Sequence, residues 1–255
     1  MELQVLGCSG GIGAGNRTTS LRLGDNVVID AGTGLADLPL AELARIDHVF
    51  LTHAHLDHIA CLPLLLDTVA PVRTTPVTVH ASQSALDTLQ RHIFNWQVWP
   101  DFTQIPHPDR GLLRYEVMER GDTFTLGELT LTALPVLHTV PAVAYRMDSG
   151  KASVVFSGDT DDHAPFWQAV AAVDNLQTLI IETAFADHEA ALARASRHLT
   201  PQRLLAALGA LPGGLDIRIT HLKPFDHELI MRELTGQASA GLQLKRLLQG
   251  DVIRF

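Results

Sequence analysis

The chain has 255 residues, 46% of them hydrophobic and 18% charged, enough apolar material to bury the core of one domain spanning residues 1–255. A formal charge of −9 removes the simplest basis for gripping a long nucleic acid, phosphate neutralisation by Lys and Arg, and leaves a small anionic substrate open. No window is apolar over a bilayer-spanning length, Met1-Glu-Leu-Gln-Val-Leu6 reads as strand rather than secretory leader, and Cys8 and Cys61 are too few for a disulfide framework, so a cytoplasmic protein without membrane contact is expected.

Apolar patterning predicts strands at 2–7, 19–24, 26–30, 48–52, 77–80, 123–135, 142–147, 151–157, 177–182, 216–220 and near the C-terminus. Helices are predicted over 35–44, 57–68, 82–92, 163–173, 201–209 and 226–235. The fifth opens with Thr200-Pro201, an N-cap followed by proline at the first helical position. Strand and helix signals alternate without tandem repeats or a linker, an α/β pattern. One short echo, Asp25-Asn-Val-Val-Ile-Asp30 and Lys151-Ala-Ser-Val-Val-Phe-Ser-Gly-Asp159, runs from strand to acid twice, as two similar β-rich halves would.

Near the start, Gly7-Cys-Ser-Gly-Gly-Ile-Gly-Ala-Gly15 misses the Gly-X-Gly-X-X-Gly spacing, and Asn16 to Leu23 behind it reads as strand, which rejects a dinucleotide loop. Arg17, Thr18 and Thr19 at its end could still offer N–H and hydroxyl groups to a phosphate; a plain turn fits as well. Further on, Thr52-His53-Ala54-His55-Leu56-Asp57-His58-Ile59 packs four metal-competent side chains into six positions. Two histidines one residue apart point the same way from an extended segment, and Asp57 and His58 follow where a turn leads into the apolar run from Ile59 to Leu66. Imidazole with carboxylate suits zinc and neighbouring metals, which polarise substrate oxygens or activate water near neutral pH, so a metal-dependent hydrolase is expected.

The segment from His92 to Gly111 is aromatic and proline-rich, too irregular for a helix or strand. Phe94, Trp96, Trp99 and Phe102 could wall a purine, with Asn95 as a hydrogen-bond partner; a dimer contact or a buried plug fits equally. His138, Asp159 and His221 each stand just past a β-rich run. Glu182 ends the buried strand Leu179-Ile-Ile-Glu182, and His198 precedes a helix. Paired with that acid, the imidazole gains proton affinity and becomes a candidate donor to a departing alkoxide.

The His53-Ala-His-Leu-Asp-His58 run resembles the signature of the metallo-β-lactamase superfamily. The resemblance implies an αβ/βα sandwich, two mixed β-sheets flanked by helices, with a two-metal site on one edge. It assigns His53, His55 and His138 to one metal and Asp57, His58 and His221 to the other, with Asp159 bridging. It also gives Asp30, in Asp30-Ala-Gly-Thr-Gly34, a supporting role beneath the ligand loop. Zinc is the implied metal, with manganese and iron as alternatives. Glu182 and His198 resemble the phosphodiesterase branch, which includes RNase Z.

Four segments, His53 to Ile59, His92 to Phe102, Arg197 to Pro201 and Ile219 to Pro224, are closer still to class II cyclic-nucleotide phosphodiesterases. Cys61 and Thr183-Ala184 depart from that pattern. The implied reaction opens a 3′,5′-cyclic nucleotide, cAMP or cGMP, to its 5′-monophosphate, with Asp57 orienting the attacking water and His198, backed by Glu182, protonating the leaving 3′ oxygen. Only 20 residues separate His138 from Asp159, no room for the tRNA-gripping arm that RNase Z would require. RNase Z-like or other small-phosphodiester hydrolysis, iron dioxygenase chemistry, and thioester or lactone hydrolysis stand as alternatives, and a homodimer is open.

Overall fold

The structure, a computed structural model, describes residues 1–209, 211, 214–238 and 242–255. Strands β1 (Glu2–Gly7), β2 (Ser20–Leu23), β3 (Val27–Ile29), β4 (His48–Phe50), β5 (Val77–Ala81) and β6 (Leu113–Val117) lie in one sheet. The second holds β7 (Thr123–Leu126), β8 (Leu129–Pro135), β9 (Val143–Asp148), β10 (Ser153–Phe156), β11 (Leu176–Glu182), β12 (Asp216–Thr220) and β13 (Gln243–Arg246). The last strand, β14 (Val252–Arg254), returns to the first sheet beside β1. Among the described residues each sheet has seven strands, ordered β14-β1-β2-β3-β4-β5-β6 and β7-β8-β9-β10-β11-β12-β13. In both, the first three pairings are antiparallel and the last three parallel. The strand-to-acid echo thus marks equivalent strands, β3 and β10, each fourth in its sheet.

Strand periodicity explains how the layers stack, because successive side chains point to opposite faces. Val28 and Val49 face the helices α2 (Leu56–Ile59), α3 (Leu62–Val69) and α4 (Gln83–His92), whereas Val27, Ile29 and Phe50 face the other sheet. Across the gap, Val154, Phe156 and Ile180 meet them, and Val155, Leu179 and Ile181 turn outward onto α5 (Ala164–Ala171), α7 (Pro201–Leu208) and α8 (His227–Gln237). Three apolar cores separate four layers, helix, sheet, sheet, helix, the architecture expected. Burial on both faces is why these strands read as continuous apolar runs. Among the described residues, no helix is long and apolar enough to cross a membrane.

Several boundaries differ from the sequence reading. The helix expected over 35–44 is a 3-10 turn, Thr33–Asp37, followed by the single turn α1 (Leu40–Leu43), parted at Pro39, which has no N–H to continue a helix. The 57–68 helix is likewise two, α2 and α3, with Pro63 in the first turn of α3. The single strand expected over 123–135 is a hairpin turning at Gly127, whose φ of +60° suits a residue without Cβ. β6 was not predicted, since it follows the proline-rich segment directly. Nor was α6 (Ala190–Ser196), whose alanines carry little apolar periodicity. In the irregular segment, Phe94 and Phe102 are buried in the first helical core, as a plug would be, and Trp96 is exposed.

Candidate metal centre

One edge of the sandwich gathers the chemistry, because the strands of both sheets stop there. Asp30 follows β3, Thr52 and His53 follow β4, His138 follows β8, Asp159 follows β10, Glu182 closes β11, and His221 follows β12. The carboxyl ends of parallel strands are where α/β sheets place ligands. Crowding demands unusual backbone at this edge. Gly158 has φ +57°, and a Cβ there would lie 2.9 Å from the Thr52 side chain. Asp30, Arg197 and His221 take left-handed φ of 58°, 59° and 59°, a conformation costly for side chains other than glycine and found mostly at functional sites.

Two groups of ligand-competent atoms share one carboxylate. His53, His55, His138 and Asp159 form the first and Asp57, His58, Asp159 and His221 the second, the atoms within each lying inside 4.8 Å of one another. Asp159 divides itself between them. Its Oδ2 lies 3.7 Å from His53 Nε2 and 3.9 Å from His138 Nε2, while Oδ1 lies 3.4 Å from His58 Nε2 and 3.2 Å from His221 Nδ1. Asp57 Oδ2 stands 3.8 Å from both His58 and His221, and is partly open to solvent.

Hydrogen bonds behind the rings fix which nitrogen faces inward. The Thr52 hydroxyl donates to Asp30 Oδ2 at 2.8 Å, so its contact with His53 Nδ1 at 3.0 Å has the ring donating. His58 Nδ1 donates to the same Asp30 oxygen at 2.7 Å, and His138 Nδ1 donates to the Arg197 carbonyl at 3.1 Å. Each of the three rings therefore turns Nε2 to the centre, the arrangement that outer partners give metal-binding histidines. Buried polar atoms nearly always have partners, yet His53 Nε2, His58 Nε2 and His221 Nδ1 have none among the described residues. Burial lowers the His138 imidazole to about 4 and that of His221 to about 3, and holds His53 well below its usual range. Burial would lower the His58 imidazole too, but Asp159 and Asp30 hold it well above its usual range. The neutral His53, His138 and His221 rings, the converging carboxylates and the partnerless nitrogens fit a site for divalent cations, one of which would replace the proton at His58.

A third arrangement abuts these two. His198 Nδ1 donates to Glu182 Oε1 at 2.7 Å, and Glu182 is fully buried. Its carboxylate also accepts the backbone N–H groups of Thr160 at 2.9 Å, Ala184 at 3.2 Å and Leu199 at 3.3 Å. Burial would depress the His198 imidazole, but Glu182, aided by Asp159, holds it above its usual value. The ring sits 5.1 Å from that of His138 and 5.3 Å from that of His221, so it borders both groups.

The residues named from sequence as ligands, His53, His55, Asp57, His58, His138, Asp159 and His221, converge at this edge, with Glu182 and His198 beside them and Asp30 beneath. Thr18 and Asn95 are given other partners. Thr18 is buried, and its hydroxyl accepts the Thr33 N–H at 2.8 Å. Asn95 Oδ1 accepts the N–H groups of Gln97 at 3.0 Å and Val98 at 2.9 Å, and its amide donates to the Arg91 carbonyl, so its side chain holds its own turn together. Sequence reasoning passed over Thr52 and the Arg197 carbonyl. Thr52 adjoins the motif and could have been found there; a backbone carbonyl has no sequence signal.

The family described as "Beta-lactamase superfamily domain" matches residues 25–220. A probable 3′,5′-cyclic-nucleotide phosphodiesterase of Yersinia pestis is 27% identical, the match covering 100% of this chain and 89% of that protein. A ribonuclease Z of Bradyrhizobium diazoefficiens is 25% identical over 91% of this chain and 93% of its own length. Among solved structures, unliganded yeast PDE1 superposes with a TM-score of 0.80 at 18% identity, covering 98% of each chain. The metallo-beta-lactamase fold protein YhfI from Bacillus subtilis superposes at 0.79 and 20% identity over 99% of each.

Proposed function

The chain belongs to the beta-lactamase superfamily, and from that premise we propose that it is a binuclear metal-dependent phosphodiesterase that opens 3′,5′-cyclic nucleotides to 5′-monophosphates. The observation that carries this reading is the buried Glu182–His198 pair set against the two groups that share Asp159. His53, His55 and His138 would hold one cation, Asp57, His58 and His221 the other, and Asp159 would contact both. Zinc suits the imidazole-rich donor set best, with manganese or iron as substitutes. When bound, such cations polarise the phosphoryl oxygens and lower the pKa of water.

The chain's own residues do the rest. Asp57, the most open of the acids, can accept a hydrogen bond from the attacking water and aim it. Glu182 holds the His198 ring through Nδ1, which leaves the Nε2 proton for the departing 3′ oxygen. An alkoxide is a poor leaving group, so a positioned acid matters here far more than it would for a phenolate. After cleavage the His198 ring regains its proton from solvent. The Yersinia relative supports the cyclic-nucleotide reading. The formal charge of −9 and the 20 residues between His138 and Asp159 favour a small diester over the RNA implied by the ribonuclease Z relatives.

The test is hydrolysis of cAMP and cGMP by zinc- or manganese-loaded protein, with products identified chromatographically. 5′-Monophosphate is expected, and its loss in Asp159→Ala. Absence of turnover, or undiminished turnover in that variant, contradicts the reading.

A further inference from the structure

The connection from Val136 to Val143, which carries His138, forms one wall of a cavity of about 420 Å3. Ser82, Glu119 and Arg120, just past the carboxyl ends of β5 and β6, line the same cavity. A metal-competent histidine and a guanidinium therefore line the same space, which is of the size that small ligands occupy. Arg120 is exposed and pairs with no carboxylate among the described residues. Beside it, Glu119 Oε1 accepts the Gln83 N–H at 2.8 Å, while Oε2 has no protein donor among them. Val136, Val140 and Pro141 supply apolar surface to the same cavity.

We propose that this cavity receives the base of the nucleotide and selects guanine over adenine. The proposal rests on the phosphodiesterase reading above and supplies the base preference that it leaves open. A guanidinium offers two parallel N–H groups, and guanine presents two acceptors, O6 and N7, at matching spacing. Adenine has an N6 amino donor in place of O6, so one N–H of Arg120 would face another donor. The free Glu119 oxygen complements the N1–H and N2–H2 donors on guanine's adjoining edge, where adenine has an acceptor. Val136, Val140 and Pro141 suit the ring faces, and His138 lies on the side toward the phosphate.

Calorimetric titration of the metal-loaded full chain with GMP, AMP and ribose 5-phosphate tests this without requiring turnover. GMP is expected to bind about tenfold more tightly than AMP or the base-free sugar phosphate. Arg120→Ala should remove most of the GMP preference, leaving only the part that Glu119 supplies, and Arg120→Lys, which keeps charge but not the paired donors, should restore little of it. Glu119→Gln, which keeps an acceptor for Gln83, should weaken GMP alone; circular dichroism checks that each variant is folded. Equal GMP and AMP affinity in the unaltered protein, no measurable GMP binding, or a preference undiminished by Arg120→Ala overturns the proposal. Diester hydrolysis without base preference removes the guanine site and keeps the phosphodiesterase reading. GMP preference without hydrolysis does the reverse.

Discussion

Strands β3 and β10 hold the same place in their sheets, each antiparallel to the strand before it and parallel to the strand after, and each leads to a buried aspartate. Asp30 is enclosed by donors. It accepts the Thr52 N–H, the Thr52 hydroxyl and His58 Nδ1, all within 2.8 Å. Asp159 instead faces ring nitrogens of His53, His58, His138 and His221 at 3.2–3.9 Å, and no backbone or hydroxyl donor reaches it among the described residues. Equivalent positions in two halves have thus diverged through their neighbours: one carboxylate is held by Thr52 and His58 of the motif, and the other, on the proposed reading, would meet cations.

The sharpest way to break that comparison is to remove each acid in turn. Asp159→Ala should lower cyclic-nucleotide turnover by more than about 10³-fold, several kcal/mol of charge stabilisation being lost, with metal content falling as measured by elemental analysis. Next in size is His198→Ala, which should cost about 10²–10⁴-fold in kcat on cyclic nucleotides. It should cost far less on bis-p-nitrophenyl phosphate, whose leaving group needs no proton, and should keep its metal. Equal losses on both substrates would mean that His198 is not the acid. Asp30→Asn should weaken metal binding by about 10–100-fold, an effect that excess metal reverses.

The smallest effect concerns the seam between the halves. His80 of β5 stacks on Phe50 at 4.2 Å and lies 4.8 Å from Phe124 of β7 in the opposite sheet. Burial, with His48 beside it, lowers its imidazole from 6.5 to about 4. The unfolded chain takes up this proton near pH 6.5 and the folded chain only near 4, so the contribution is complete above 6.5 and is lost as pH falls toward 4. Thermal melting across that range should show the decline, and His80→Gln should remove the His80 share of it while leaving that of the buried His53, His138 and His221.

What could be read in advance followed from what lies close along the chain. His53 to His58 announces itself because strand, turn and helix succeed one another within a few residues. His138, Asp159, Glu182 and His221 were visible as polar residues at the ends of apolar runs, and the echo between Asp30 and Asp159 foreshadowed the matched pairing order. Groups whose role depends on distant partners were hidden. The Arg197 carbonyl reaches His138 across 59 positions, and Arg120 meets the His138 loop only because β5 and β6 end beside it. Thr18 and Asn95 looked available to substrate since nothing in composition reveals that Thr33 and the 95–98 turn engage their side chains.

The most direct measurement is cyclic-nucleotide turnover by Asp30→Asn and Asp159→Ala, assayed side by side across a titration of added zinc or manganese. Turnover should return toward the unaltered level in Asp30→Asn as metal is raised and stay absent in Asp159→Ala. Restoration of both variants, or of neither, would contradict a division of labour in which Asp30 braces the site and Asp159 forms its centre.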